Sequence, residues 1–150
     1  MMLSPRQMLG LVVIGAILLC PACLRKSITE KQIAQAVQAY MDAPADPSDD
    51  NALTAEERAA IESFDVYRNK LKLQLAEGTD PEMREPVGKK MVRAFALACR
   101  GVGKFEVSYV VELYTRETID NKKSNFLVGE IRFDNASERI YPEMYKPIRR

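Results

Sequence analysis

Apolar residues follow three rhythms along this chain. From Met8 to Leu24 they run almost unbroken, between Arg6 on one side and Arg25-Lys26 on the other. From Ser27 to Arg100 they recur mostly at helical spacing, and from Phe105 onward they alternate with polar residues. A helix crossing the hydrocarbon core of a bilayer needs about 17–25 mostly apolar residues. Met8–Leu24 sits at the short end of that range, so residues 1–26 read as a membrane anchor or a signal peptide.

The helical rhythm predicts three main helices. Ser27-Ile-Thr-Glu30 has the form of a capping box, in which the serine hydroxyl and the glutamate carboxylate satisfy free amides at a helix start. A helix over 27–42 then carries the stripe Ile33, Val37, Tyr40 and Met41. Residues 43–53 hold two prolines and several acids and read as an exposed linker, either a spacer that lets the body stand away from this helix or an ordinary surface loop. Thr54-Ala-Glu-Glu57 is a second capping box, expected to open a helix running to about Ala76 and stopping at Gly78. Its core face would hold Ile61, Phe64, Leu71 and Leu75 beside Ala60 and Tyr67, with Val66 and Leu73 on another side. Asp80-Pro81 marks a further start. Pro86 should interrupt it, leaving a main helix at Val87–Arg100 with Val87, Met91, Ala94, Phe95 and Ala98 turned inward.

In the alternating region, Phe105, Val107, Tyr109, Val111 and Leu113 stand against Glu106, Ser108, Glu112 and Arg116, the pattern of a half-buried strand. A second strand is expected at Asn125–Phe133, joined through a long exposed loop at Glu117–Ser124. Two strands alone are marginal, so helices or a third strand near Arg139–Tyr145 must complete the sheet. The expected fold class is α+β. A helical N-terminal half packs on a small antiparallel sheet built around a C-terminal β-hairpin, and residues 54–150 form one globular domain.

The N-terminal segment has the parts of a secretory signal in order: a basic residue, an apolar block, then Cys20-Pro21-Ala22. A cut after Ala22 would leave Cys23 first, and Ala22-Cys23 resembles the lipobox of bacterial lipoproteins, with Cys20 standing where leucine is usual. That resemblance implies lipid attachment at Cys23. A single-pass helix and a secreted, cleaved chain are the other two outcomes. An extracytoplasmic domain is the expected location.

Composition then narrows the chemistry. A formal charge of +1 gives no global pull toward nucleic acid, and no nucleic-acid signature is present. With no histidine, Ser-His-Asp and Cys-His catalysis and His-ligated metal are excluded. Gly101-Val-Gly-Lys104 lacks the earlier glycine and the following Ser or Thr of a phosphate loop. Cys20 and Cys23 have redox spacing but close an apolar signal, and Cys99 alone lies in the domain, as an inert thiol. No catalytic, metal or cofactor residues are expected. The one surface with a chemical preference is the face of the 87–100 helix bearing Lys89, Lys90, Arg93 and Arg100, suited to an anionic surface or an acidic partner. These features predict a membrane-associated, non-enzymatic interaction module with a protein partner. A binder of a small apolar or lipidic ligand between helices and sheet is the alternative.

Overall fold

A computed structural model describes residues 21–145. Expectations for residues 1–20 and for the side chain of Cys23 fall outside this part of the chain. Helix α1 (Pro21–Asp42) is followed by the short helix α2 (Ala55–Ala59), the hairpin β1 (Ile61–Tyr67) and β2 (Lys70–Leu75), helix α3 (Pro81–Gly101), and strands β3 (Ser108–Ile119), β4 (Lys122–Asp134) and β5 (Ile140–Met144). The strands form one five-stranded sheet in the order β1-β2-β3-β4-β5. The class is α+β, but the sheet is mixed: β2 and β3 run parallel, and the other neighbours run antiparallel. A parallel pair needs a long crossover, and α3 supplies it. Among the described residues no helix is long and apolar enough to cross a membrane.

The largest departure from the sequence pattern lies between Thr54 and Gly78. The capping box is present, with Thr54 N–H donating to Glu57 Oε2 at 2.8 Å and Glu57 N–H to Thr54 Oγ1 at 3.1 Å, but the helix it opens ends at Ala59. Ile61–Leu75 is a hairpin turned by Arg68 and Asn69, with Arg68 in the left-handed region at φ 56°. Leu71, Leu73 and Leu75 alternate in Lys-Leu-Lys-Leu-Gln-Leu and face one side of the sheet, where Leu71 pairs with Val66 and Leu73 with Phe64. The stripe expected on a second helix face is thus the same face of a hairpin, and Tyr67 is exposed.

Elsewhere the differences concern boundaries. α1 starts at Pro21, which puts Ser27 inside it. α3 is capped by the Asp80 carboxylate accepting from Glu82 N–H at 2.9 Å and continues through Pro86 to Gly101. Pro86 loses only one bond, near the helix start, so the helix carries on. The left-handed residue after its end is Gly103, at φ 76°. The expected long loop of the C-terminal hairpin is a two-residue turn: Asp120 and Asn121 both take positive φ, and the strands pair down to Ile119 opposite Lys122. This is the primed geometry that matches strand twist. The third strand is β5, an edge strand where Pro142 is tolerated.

Helices α1 and α3 cover one face of the sheet. Ile33 and Val37 of α1 and Val87, Met91 and Phe95 of α3 are fully buried with Leu71, Leu73, Tyr109, Val111, Leu113 and Ile131. Phe95 and Tyr109 meet edge to face at 6.1 Å. The approach is close at Gly88, where a Cβ would lie 2.5 Å from Ile131 Cγ1. The 43–53 segment does not hold the body away from α1. Leu53 enters the core, Arg58 donates to the Ala43 carbonyl, and Asp46 closes a turn by accepting from Ser48.

Candidate functional site

The sheet's other face has no helix over it. Strand alternation places three rows of side chains there, running across the strands. The first is Tyr67, Lys70, Val110, Arg132 and Tyr141; the second is Asp65, Lys72, Glu112, Glu130 and Glu143; the third begins Ser63, Gln74, Tyr114. Two shallow grooves of about 330 and 380 Å³ lie on this face and share Lys72 and Tyr114 in their walls.

The middle row puts three carboxylates side by side on β3, β4 and β5. Like charges directly opposite across strands repel, and the surrounding groups compensate. Lys70 Nζ lies 2.7 Å from Glu112 Oε1, the Tyr114 hydroxyl donates to Glu112 Oε2 at 3.0 Å, and the Tyr145 hydroxyl donates to Glu130 Oε2 at 3.2 Å. Glu112 is only 7% exposed although no helix covers it, because neighbouring long side chains lie across it. Burial alone would raise its carboxyl pKa. The Lys70 and Tyr114 hydrogen bonds outweigh burial and hold it below the ordinary glutamate value, so it is ionised at neutral pH. The Glu112 hydrogen bond raises Lys70. Burial, reinforced by Glu112, raises the Tyr114 phenol. The result is an ionised, pre-oriented Glu112 on a face that also carries Tyr67, Tyr114 and Tyr141, with Tyr145 bonded to Glu130. Tyr67 itself lies beneath two cations, with Arg68 Cζ at 5.2 Å and Lys72 Nζ at 5.4 Å from its ring centroid.

The cations that the sequence groups on one face of α3, Lys89, Lys90, Arg93 and Arg100, are in different circumstances. Lys90 is largely buried, 2.7 Å from Glu57 Oε2 and donating to the Ala52 carbonyl at 2.8 Å. Burial would raise the Glu57 carboxyl, but the Lys90 and Thr54 hydrogen bonds hold it below its ordinary value. Arg93 donates to Asn51 Oδ1 at 2.6 Å. Arg100 donates through Nε to Asn135 Oδ1 at 2.9 Å, lies 3.6 Å from Glu138, and stacks over Phe133 at 5.3 Å. Lys89 pairs with Glu85 one helical turn away, and both are well exposed. Lys90 therefore belongs to the seam between α2 and α3, and reversing its charge would set two buried carboxylates against each other. The periodicity that placed it with Lys89 carries no information about α2.

Cys99 is fully buried, and burial pushes its thiol up to about 11, which makes it a poor nucleophile at neutral pH. Phe105 and Val107, expected in the strand's buried face, lie before β3 begins and are exposed. The sheet-face centre is not visible in the sequence because Glu112, Glu130 and Glu143 become neighbours only through strand register. Their alternation with apolar residues was the available signal. Comparison of the chain with protein-family models, curated proteins and solved structures found no match.

Proposed function

We propose that this protein is a membrane-anchored, non-enzymatic binding module on the extracytoplasmic side, and that the uncovered sheet face receives a protein partner. The observation that carries this reading is the row Glu112, Glu130 and Glu143, with Glu112 bonded to Lys70 and Tyr114 and Glu130 to Tyr145, on a face that no part of the described chain covers. Aromatic residues are enriched where proteins meet one another. A partner segment offering lysine or arginine over the carboxylate row and apolar groups against the tyrosines would match it. The anchor rests on the apolar run Met8–Leu24 and its basic flanks, with lipid attachment at Cys23 as one form of it.

The apolar-ligand alternative has less support, since fully buried side chains of α1, α3 and the sheet occupy the space between them, and at Gly88 not even a Cβ would fit. A second surface keeps some of the character expected of the α3 cations. A groove of about 520 Å³ beside α3 has Tyr40, Leu97 and Phe133 in its walls together with Arg93 and Arg100. Arg93 binds a neutral amide there, so its charge stays available to an acidic partner.

Site-directed photocrosslinking in native membranes tests the main reading. A benzophenone side chain replacing exposed Tyr141 should give a discrete protein adduct that Glu130→Arg abolishes, while the same probe at exposed Glu56 should give none. No adduct at position 141, or equal adducts at both positions, would overturn it.

A further inference from the structure

One pole of the molecule gathers four segments that are distant in sequence. Arg68 N–H, in the β1–β2 turn, points at Glu30 Oε1 in the first half of α1, at 3.5 Å. Lys104, in the loop after α3, donates through Nζ to the Arg68 carbonyl. That loop meets the β4–β5 connection where Asn135 N–H donates to the Val107 carbonyl at 3.0 Å. Ile28, Tyr67, Phe105 and Val107 are all exposed here, at 51, 49, 68 and 86%.

The exposure of Phe105 follows from how its loop is fastened. Tyr109 is fully buried, and its hydroxyl donates to the Lys104 carbonyl at 2.9 Å and accepts from Glu106 N–H at 3.2 Å. Lys104 N–H donates to the Cys99 carbonyl at 2.9 Å. The backbone on both sides of Phe105 is thus tied inward by the core, and the phenylalanine between is held outward. Lys31 and Arg68 are exposed around these apolar groups, and Lys104 is half-buried; Glu30 and Glu106 are acids beside them, and the β4–β5 connection adds Asp134, Glu138 and Arg139. α1 is continuous from Pro21 to Glu30 and beyond, so its first turns, which carry Arg25-Lys26 in the sequence, run on from this pole, and the apolar run Met8–Leu24 ends within them.

We propose that this pole is a second membrane-contact surface, which lays Phe105, Val107 and Ile28 into the headgroup region of an anionic bilayer with Lys31, Arg68 and Lys104 around them. Apolar and aromatic side chains ringed by cations are the composition of interfacial contacts, and basic side chains let their stems lie along apolar surface with the charge at the headgroups. The anchor confines the domain to the bilayer, and the pole fixes which way it stands. The sheet lies edge-on to the membrane, and the β3–β4 turn projects roughly 35 Å away at the rise of a β-strand. The inference rests on the anchored reading above.

The chain has no tryptophan, so a single introduced one reports its own surroundings. Full-length protein carrying Phe105→Trp, or Ile119→Trp at the distal turn, is reconstituted into vesicles of phosphatidylcholine with about a third phosphatidylglycerol, and flotation is scored alongside fluorescence. Both sites are exposed in the parent, so both variants should fold. Brominated lipids should quench position 105 at least twofold more than position 119, and its emission should move to the blue. Vesicles lacking phosphatidylglycerol should weaken both effects. Floating protein with equal or absent quenching at both positions overturns the proposal and leaves the anchor standing. Protein that does not float overturns both.

Discussion

The two faces of the sheet are built from the same strands and solve burial differently. On the helix side, β3 presents Tyr109, Val111 and Leu113, all with no exposure, to Phe95 and Met91. On the open side it presents Val110 and Glu112, which are nearly as buried with no element above them. The first face is dried by secondary structure. The second is dried locally by Lys70 and Tyr114 bonded to Glu112, which neutralise and cover it. An uncovered sheet face need not be a plain solvated one. Here its middle is organised, and its outer residues are left accessible.

The helix-covered face should carry most of the stability. Phe95→Ala removes the ring that meets Tyr109, and we expect a loss of about 3–5 kcal/mol in denaturant unfolding. A loss below about 1 kcal/mol would mean that α3 does not seal this face.

Lys90→Met comes next, since it leaves the Glu57 carboxylate buried without its cation. A buried ionic partner lost in this way costs about 1–3 kcal/mol, and the same unfolding experiment measures it.

The open face should respond to acid. Glu112 and Glu57 both have folded pKa values below the unfolded one, so their contribution is complete above the ordinary glutamate value of about 4.3 and is lost as pH falls through the lower folded values. Melting temperature should therefore fall steeply below about pH 4.3, and Glu112→Gln should flatten that fall while costing only about 1 kcal/mol at neutral pH. An unchanged acid profile in this variant would detach Glu112 from the network proposed to orient it.

Smallest is Lys89→Ala, on the outer side of α3, which should stay within about 0.5 kcal/mol. If it cost as much as Lys90→Met, the distinction drawn between these two adjacent cations would fail.

Much of the helix-covered face was legible in the sequence. Ile33, Val37 and Met41 mark the buried side of α1, Val87, Met91 and Phe95 that of α3, and the alternation through Tyr109, Val111 and Leu113 marks β3. The β1–β2 hairpin was not. Leu71 and Leu75 stand four apart, which suits a helix as well as a strand, and the capping box at Thr54 tilts the choice toward helix. Leu73 between them decides for strand, because in a helix it would point away from its neighbours. The cost of that ambiguity is the parallel β2–β3 pair, and with it the open-face rows. Register between distant strands is a tertiary quantity, so no local pattern could assemble Asp65, Lys72 and Glu112 into one line.

The second role of Glu57 reaches into how the molecule opens. A five-residue helix has almost no autonomous existence in water, and the carboxylate that caps α2 is the same one that grips Lys90 on α3. A fluctuation that frees α3 therefore strips the cap from α2, and fraying of α2 weakens the grip on α3. The two should exchange their amide protons for solvent deuterium as one cooperative unit, with the shorter helix inheriting a protection that its own length could not supply.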